Sequence, residues 1–257
     1  MTIIPFLLGA FEVATSLQAT LTCDSCHRTL VGAYYTDEWG HRLCVSHHEQ
    51  PRCDACGAVL AKKSEGYAPF PLCPSCAPKS LATPPAAAGM LARTQKDLRS
   101  LGLPWWPQTF PLRIVSQREL LQAAGTHLTL EPLGMARGQF MQNAPPGTPR
   151  KVEEILVVPG LHEIRLGAVL AHELGHAWLW QQNFLDLPDL LNEGFPELCA
   201  HRWLGSRSEP FARMLQRRME QSDDPIYGRG LRVVQKVFQK ESTLARAREL
   251  MRHQASL

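Results

Sequence analysis

Hydrophobic positions in the second half of the chain follow two different periods. Residues 152–158 (VEEILVV) are rich in β-branched and apolar residues, which predicts a strand. From about Gly167 to Asn183 the apolar residues recur at the spacing of one helical face, so a helix is predicted shortly after that strand. A second helix is predicted over residues 190–204, after a loop at 185–189.

Shorter patterns complete this half of the chain. Ser116 can cap a helix that runs to about Ala124. The other predicted strands are 111–116, 126–133 and 137–142, and the other predicted helices are 90–101, one that starts at Ser208 and Pro210, and 231–253 after a turn at 226–230. The last helix is amphipathic, and we interpret its basic face as solvated rather than as a nucleic-acid-binding surface.

The front of the chain is organised differently. Residues 3–16 are apolar, but they lack a basic region and contain Pro5 and Glu12, so we predict a packed N-terminal arm rather than a signal peptide. Residues 77–89 are rich in Pro and Ala and have no periodic apolar face, which predicts a linker. The predicted organisation is an arm at 1–19, a cysteine-rich module at 20–76, a linker at 77–89 and a main domain at 90–257.

Composition narrows the class of protein. With 257 residues, of which 44% are hydrophobic and 20% are charged, the chain can bury a core of one or two domains. The formal net charge of +3 is too small to indicate nucleic-acid binding, and no stretch is long and apolar enough to span a membrane. We therefore expect neither partner. A DNA-binding regulator is a lesser alternative, which binding that falls steeply with salt would support.

Seven of the eight cysteines lie near the front, in closely spaced pairs, and only Cys199 stands apart as a small buried apolar residue. An odd, paired set indicates metal ligation in a reducing compartment, and so a cytoplasmic protein, rather than a disulfide framework. The pairs are Cys23/Cys26, Cys44/His47, Cys53/Cys56 and Cys73/Cys76.

The four pairs predict two structural zinc sites. Seventeen residues separate the first two pairs and sixteen separate the last two, so the segment repeats. Each half suits a zinc ribbon, the first with three cysteines and a histidine and the second with four cysteines. His47 has the best spacing in the first site, and His41 or His48 could substitute for it. The order of pairs resembles a LIM domain, except that five residues rather than two separate the halves, so we predict a LIM-like module that binds a protein partner or supports folding.

The strongest chemical signal is His172-Glu173-Leu174-Gly175-His176. Residues four apart share one face of a helix, so both imidazoles can point at one zinc ion while Glu173 lies beside it and activates water. Glu193 follows after sixteen residues and is our candidate for the third ligand, because it heads the next helix beside Gly194.

Three further residues, Glu197, His201 and Tyr227, are candidates for supporting roles. Glu193, Glu197 and His201 recur at four-residue intervals and so share one helical face. Glu197 and His201 are candidates to hold the ligands by hydrogen bonds, although a solvated helix face is the plain alternative. Tyr227 is our first candidate for a donor to the oxyanion of the reaction and His201 our second. Strands and a helix followed by a metal-bearing helix are the order of a zincin-type α+β domain, in which a strand before that helix can lie at the sheet edge, where an extended peptide substrate adds as another strand.

Several motifs together resemble one family. They are ILVVPGL (155–161), LAHELGHAWL (170–179), NEG (192–194) with AHRWL (200–204), and DPIYGRGLR (224–232). With the cysteine pairs, they resemble the LIM-domain zinc peptidases that restrict organ growth in plants, the ubiquitin-activated LIM peptidases, which have bacterial relatives. The resemblance covers roughly residues 20 to 240. It implies a gluzincin-like endopeptidase with His172, His176 and Glu193 on zinc and Glu173 as base. Ubiquitin is possible as a partner by this resemblance alone, and its activating role is not carried over, because we find no room for ubiquitin-interacting motifs ahead of the cysteine pairs.

The sequence thus predicts a gluzincin-like, zincin-type α+β peptidase domain preceded by a LIM-like double zinc-ribbon module. The expected cofactors are three Zn²⁺ ions, one catalytic and two structural, and the expected partner is a protein or peptide substrate. The alternative is a zinc-dependent interaction scaffold whose peptidase domain is degenerate or latent. An intact Glu173 argues against that alternative, since a scaffold has no need of a general base.

Overall fold

The computed structural model of the chain describes residues 20–60, 70–103, 109–125, 132–139, 151–184 and 187–240. The predicted arm at 1–19, most of the predicted strand at 126–133 and the end of the predicted last helix lie outside these residues. The contact pattern divides the chain into two compact units, residues 1–49 and 50–257. The sequence pattern had predicted one module over 20–76, whereas the two cysteine repeats fall in different units.

The first unit is a small hairpin built around its cysteines. Strand β1 (Tyr34–Thr36) pairs antiparallel with β2 (Arg42–Cys44), and a one-turn helix α1 (Val45–His48) follows directly. The carboxylate of Asp37 accepts hydrogen bonds from two backbone amides of the turn, at 2.9 and 2.8 Å. Among the described residues of this unit, the buried hydrophobic side chains are Cys23 and Leu43. So small a core needs a further crosslink such as a metal ion.

The second unit begins with the second cysteine repeat and continues into a helix where the sequence predicted a linker. A 3₁₀ turn (Ala77–Lys79) and strand β3 (Ser80–Leu81) lead into helix α2 (Pro84–Ser100). The linker prediction is wrong for residues 84–89, which form the first turns of α2. Proline at the first helical position and a run of alanines favour a helix there, and Ala87 is fully buried.

A three-stranded sheet forms one layer of the second unit. Its strands are β4 (Leu112–Ile114), β5 (Gly134–Gln139) and β6 (Lys151–Val157), in the order β4-β6-β5. Central β6 runs parallel to β4 and antiparallel to β5, and residues 155–157 are buried, as a covered central strand requires. Helix α3 (Gln117–Ala124) starts from a capping box in which Ser116 and Glu119 bond each other's backbone amides, so the predicted cap is confirmed.

Helices cover the sheet and carry most of the core. Strand β7 (Leu161–His162) pairs with β3 and leads into α4 (Glu163–Gln181), which is followed by α5 (Asp189–Gly205), α6 (Pro210–Gln221) and α7 (Tyr227–Lys240). The large buried side chains include Trp203, Phe195 and Leu170. Residues 227–230, predicted as a turn, are the first turn of α7. The Asp224 carboxylate explains this, because it accepts the amides of Ile226 and Tyr227 at 2.8 and 2.7 Å.

The chain is therefore a mixed α/β protein that carries cysteine clusters able to bind zinc. Within the residues that the structure describes, no helix combines the length and apolar character needed to cross a membrane.

Candidate metal centre

Helix α4 presents the two histidines of the predicted centre side by side. The Nε2 atoms of His172 and His176 lie 3.1 Å apart, as residues four apart on one helical face allow. Both side chains are largely buried, with 15% and 13% of their surface exposed. The helix begins in a defined way, because Nδ1 of His162 accepts the backbone amide of Ile164 at 3.2 Å.

Helix α5 brings Glu193 to the two histidines. Its Oε2 lies 3.4 Å from Nε2 of His172 and 3.3 Å from Nε2 of His176. Ligand atoms at the usual 2.0–2.1 Å from a tetrahedral zinc are about 3.3 Å apart. The three observed separations fit that triangle, so His172, His176 and Glu193 suit a zinc ion with a fourth position open.

The close approach of α4 and α5 depends on a glycine. A Cβ atom at Gly175 would lie 2.6 Å from Cα of Pro196, well inside contact distance. Only a residue without a side chain therefore allows α5 to lie this close to α4.

Glu173 lies beside the triangle without belonging to it. Its side chain is buried, and its Oε2 accepts the backbone amide of Ala136 in strand β5 at 2.7 Å. This bond holds the carboxylate between the metal helix and the sheet edge. The sequence did not reveal the contact, because the amide of Ala136 belongs to a strand 37 residues away.

Glu197 lies behind the histidines, one turn along α5 from Glu193. Its Oε1 is 3.0 Å from Nδ1 of His172. The other nitrogen of that ring, Nε2, is therefore the one that points to the metal position. Glu197 therefore lies where its helical spacing predicts a group that holds a ligand.

The charges of the centre are strongly coupled. Burial lowers the pKa of His172, but the carboxylates of Glu193 and Glu197 outweigh it and raise the pKa well above its usual value. Burial raises the pKa of Glu193, but the two imidazoles outweigh it and hold the pKa well below its usual range. A divalent cation in the triangle would compensate the negative charge of these carboxylates.

Tyr227 approaches the centre from the first residue of α7. Its ring centroid lies 6.3 Å from that of His172. Burial, and then the nearby carboxylates of Glu193 and Glu197, raise the pKa of its hydroxyl, so the phenol stays a hydrogen-bond donor at neutral pH. Glycines place it there, since a Cβ atom at Gly194 would lie 2.5 Å from the carbonyl oxygen of Gly230.

His201 is not part of the centre, which corrects both roles predicted for it. Its Nε2 lies 2.8 Å from the Glu220 carboxylate on α6, and its Nδ1 lies 3.5 Å from Nε2 of Gln235 on α7. His201 lies on the same face of α5 as Glu193 and Glu197. It comes two helical turns after Glu193, and this places it beyond the end of the site. Cys199, as predicted, is a fully buried thiol, and burial raises its pKa.

A cavity of about 640 Å³ opens in front of these groups. One wall is strand β5, through Gly134, Met135 and Ala136, and the facing walls come from α4, α5 and α6. The catalytic candidates that line it are His172, Glu173, His176, Glu193, Glu197 and Tyr227. The remaining lining is mainly apolar, so the cavity suits peptide side chains as well as a polar backbone.

The first cysteine cluster has the geometry of a closed four-ligand site. Ligand atoms of Cys23, Cys26, Cys44 and His47 lie together, which favours His47 over the alternatives His41 and His48. Nδ1 of His47 is 3.6 Å from Sγ of Cys23 and 3.0 Å from Sγ of Cys44. His41 instead bonds Asp37, and His48 stacks on Tyr35.

The second cluster contains Cys53, Cys56, Cys73 and Cys76. Sγ of Cys56 lies 3.7 Å from Sγ of Cys73, close to the separation of about 3.8 Å expected for thiolates around zinc. Burial raises the pKa of Cys73, but the backbone amide of Cys76 and neighbouring thiols outweigh it and lower the pKa to about 7. Burial and the neighbouring Cys53 thiol raise the pKa of Cys56 to about 11, so the thiols of this cluster differ in acidity and a bound metal ion must displace protons from some of them.

Comparisons with known proteins point to one family over part of the chain. Residues 137–216 match the family model described as DA1-like, Protein DA1. Protein DA1-related 2 of Arabidopsis thaliana is 39% identical over 87 residues, which are 32% of this chain and 16% of that protein. Protein DA1 of the same plant is 39% identical over 54 residues, 21% of this chain and 10% of that protein.

A rice protein is similar over a segment of comparable length. LIM domain-containing protein HDR3 of Oryza sativa subsp. japonica is 34% identical over 80 residues, 30% of this chain and 16% of that protein. The chain therefore spans only 10 to 16% of the length of these relatives. No solved structure matches the chain. The family resemblance inferred from the motifs is thus supported over the segment that contains α4, α5 and the histidine–glutamate triangle.

Proposed function

We propose that this chain is a zinc-dependent endopeptidase that hydrolyses peptide bonds in protein substrates. The observation that carries the proposal is the triangle of His172, His176 and Glu193, whose ligand atoms lie within 3.4 Å of one another at the wall of a cavity. A buried carboxylate that is not a ligand, Glu173, stands beside them. Such a set of three N and O ligands with an open position is typical of catalytic rather than structural zinc sites.

The cavity also supports a peptide as the substrate. Strand β5 is at the edge of the described sheet, paired with β6 on one side, and its residues 134–136 line the cavity on the other. An extended peptide can therefore add to β5 through backbone groups other than the Ala136 amide, which is bonded to Glu173, with its side chains directed into the apolar lining. The glycine at position 134 keeps this strand close to the metal helix, because a Cβ there would lie 2.5 Å from Val169.

The residues of the cavity divide the chemistry between them. His172, His176 and Glu193 would hold a zinc ion, which when bound would supply a Lewis acid for the scissile carbonyl and for water. The Glu173 carboxylate, oriented by the Ala136 amide, takes a proton from the attacking water and passes it to the leaving amine. The Tyr227 hydroxyl donates a hydrogen bond to the oxyanion that forms.

The two cysteine clusters complete the proposal. Each is a closed set of four ligands, so a zinc ion in it has a structural role and no open position for a substrate. We assign the first cluster, with its exposed hairpin residues Tyr34 and Tyr35, to recruitment of a substrate or partner protein.

The deciding experiment compares the wild-type protein with Glu173→Gln. Zinc content is measured alongside cleavage of an unfolded protein substrate. We expect three zinc ions per chain in both and cleavage only in the wild type, since the substitution removes the general base and leaves the ligands in place. Glu153→Gln is the matched control, because Glu153 pairs with Arg137 on the sheet and does not line the cavity.

Two other outcomes contradict the proposal in different ways. Two zinc ions and no cleavage would remove the catalytic metal and favour a zinc-dependent interaction scaffold. Three zinc ions without cleavage of any substrate would favour a scaffold that keeps a latent centre.

A further inference from the structure

Helix α4 carries a second functional side chain two turns ahead of the histidines. Arg165 precedes His172 by seven residues, which is about 10 Å along the helix axis and nearly the same face. Its side chain lines the same cavity and is only 12% exposed. An arginine so placed must have a partner for its charge.

That partner belongs to the second cysteine cluster. Nε and Nη2 of Arg165 donate to the two carboxylate oxygens of Asp54 at 2.7 and 2.5 Å, a bidentate pair. Asp54 lies between the ligands Cys53 and Cys56, and its side chain is 8% exposed. Breaking a buried pair is costly because it leaves one charge without compensation. The pair therefore ties the first arm of the cluster firmly to the cavity wall.

The second arm of the cluster touches the same guanidinium. Its carbon lies 4.4 Å from the ring centroid of Phe70, which precedes Cys73 by three residues, and 5.5 Å from that of Phe211 on α6. The amide of Asp54 donates to the carbonyl of Pro71 at 2.8 Å and so joins the two arms. Arg165 is thus held by both arms of one metal cluster.

The chain that leaves the cluster reaches the same helix. Lys79, three residues after Cys76, lies 3.7 Å from the Glu163 carboxylate at the start of α4. Immediately afterwards Ser80 pairs with His162, the residue that caps α4. Two routes therefore link the four-cysteine cluster to the first turns of the metal-bearing helix, one through Arg165 and one through the β3–β7 pair.

We propose that Arg165 is a positioning residue that couples the Cys53–Cys76 cluster to the catalytic cavity. A cluster closed on its metal holds Asp54 and Phe70 against Arg165, which fixes the first turns of α4 and the cavity wall. When the cluster opens, this wall loosens and peptides bind more weakly, although the ligands and Glu173 are unchanged. The inference rests on the proposed function and adds a regulatory role for the cluster at the same site.

The test is Asp54→Asn, with Asp97→Asn as the matched control. Asp97 accepts hydrogen bonds from Arg207 and Trp203, which joins α2 to α5, but none of these three residues lines the cavity. For Asp54→Asn we expect KM to rise roughly 2- to 30-fold, the usual range of coupling between packed residues, with kcat within about twofold. Asp97→Asn should leave both constants unchanged.

Two further readouts do not depend on cleavage. Amide hydrogen exchange over residues 163–171 should accelerate in Asp54→Asn and not in Asp97→Asn. One equivalent of zinc should also transfer to a chromophoric chelator faster than in the wild type. If the wild type cleaves nothing, the proposed function fails, and the exchange and zinc-transfer data still decide the coupling.

Milder variants guard against simple misfolding of Asp54→Asn. Arg165→Lys keeps the charge but loses the bidentate geometry and ring stacking, so it should show the same pattern at smaller amplitude. The double variant Asp54→Asn/Arg165→Gln replaces the ion pair by two amides and should recover part of the KM. Unchanged KM, exchange and zinc transfer in all three variants, or equal changes in Asp97→Asn, would overturn the proposal.

Discussion

Two sites in the second compact unit are suited to the same metal, but they are built in opposite ways. The Cys53–Cys76 cluster takes four thiolates from two short arms, and each arm supplies its pair within four residues of sequence. The histidine–glutamate centre takes two ligands from α4 and one from α5, and its fourth side faces a cavity of about 640 Å³.

The contrast is the one expected between a structural zinc site and the reactive site proposed here. Four ligands fill a tetrahedron, so the cluster can only hold its arms together. Three ligands leave room for a reactant, and here that room is bordered by a buried carboxylate, a tyrosine and a strand edge. The two kinds of site nevertheless meet at one residue, Arg165, which lines the cavity and is bonded to the cluster.

Metal removal provides the strongest test of this contrast. A chelator such as dipicolinate should remove one of three zinc ions first and reduce cleavage to background, because the N/O centre opens on the cavity while the thiolate sites are closed. Added zinc should restore activity. Zinc content and cleavage are followed together over time, and prior loss of the thiolate-bound ions would contradict the assignment.

Tyr227→Phe examines the reactive centre without altering any ligand. We expect kcat to fall about 10²- to 10³-fold, the usual effect of removing one donor to an oxyanion. Zinc content should remain at that of the wild type. The control is Glu153→Gln on the sheet, outside the cavity, and comparable losses in the two variants would rule out the proposed role.

Glu197→Gln addresses how the centre holds its metal. The carboxylate orients His172 from behind, so we expect zinc affinity at this centre to fall about 10- to 100-fold. Competition with a chelator of known affinity measures it. Glu220→Gln, which removes the carboxylate that faces His201, should leave that affinity unchanged because His201 lies outside the centre.

Gly175→Ala tests whether the histidine–glutamate centre depends on the packing of α4 against α5. The cysteine cluster, by contrast, is formed by short local loops. The new Cβ would meet the backbone of Pro196, so overpacking should lower the free energy of unfolding by about 1–3 kcal/mol and weaken zinc binding at the centre. Gly89→Ala in α2 is the control. Its Cβ meets only the end of Arg93 at 3.8 Å, so it should stabilise the protein by up to about 1 kcal/mol. Urea denaturation measures both changes in the free energy of unfolding. A change in the same direction for the two variants would contradict the packing argument.

Local sequence signals predicted many of the elements correctly. The helix cap at Ser116, strand β6 and helix α5 all follow from short-range patterns. The predictions were wrong where one short sequence pattern is compatible with two different structures. The Pro- and Ala-rich stretch before Met90 suits a linker or a helix start, and burial of Ala87 decides for the helix. The glycines at 228 and 230 suggest a turn, but the cap by Asp224 and the packing against α5 make them helical.

The sequence by itself determined the metal-binding residue types. Cysteine pairs and histidines four apart converge within one turn, whatever the rest of the chain does. Tertiary structure alone decided which of the carboxylates and rings on the later helices take part. Glu193, Glu197 and His201 have the same helical spacing, yet the crossing of α4 and α5 at Gly175 brings Glu193 to the metal triangle and leaves His201 with Glu220. The pair of Asp54 and Arg165 joins residues 111 positions apart, a distance at which periodicity carries no information and only packing brings charges together.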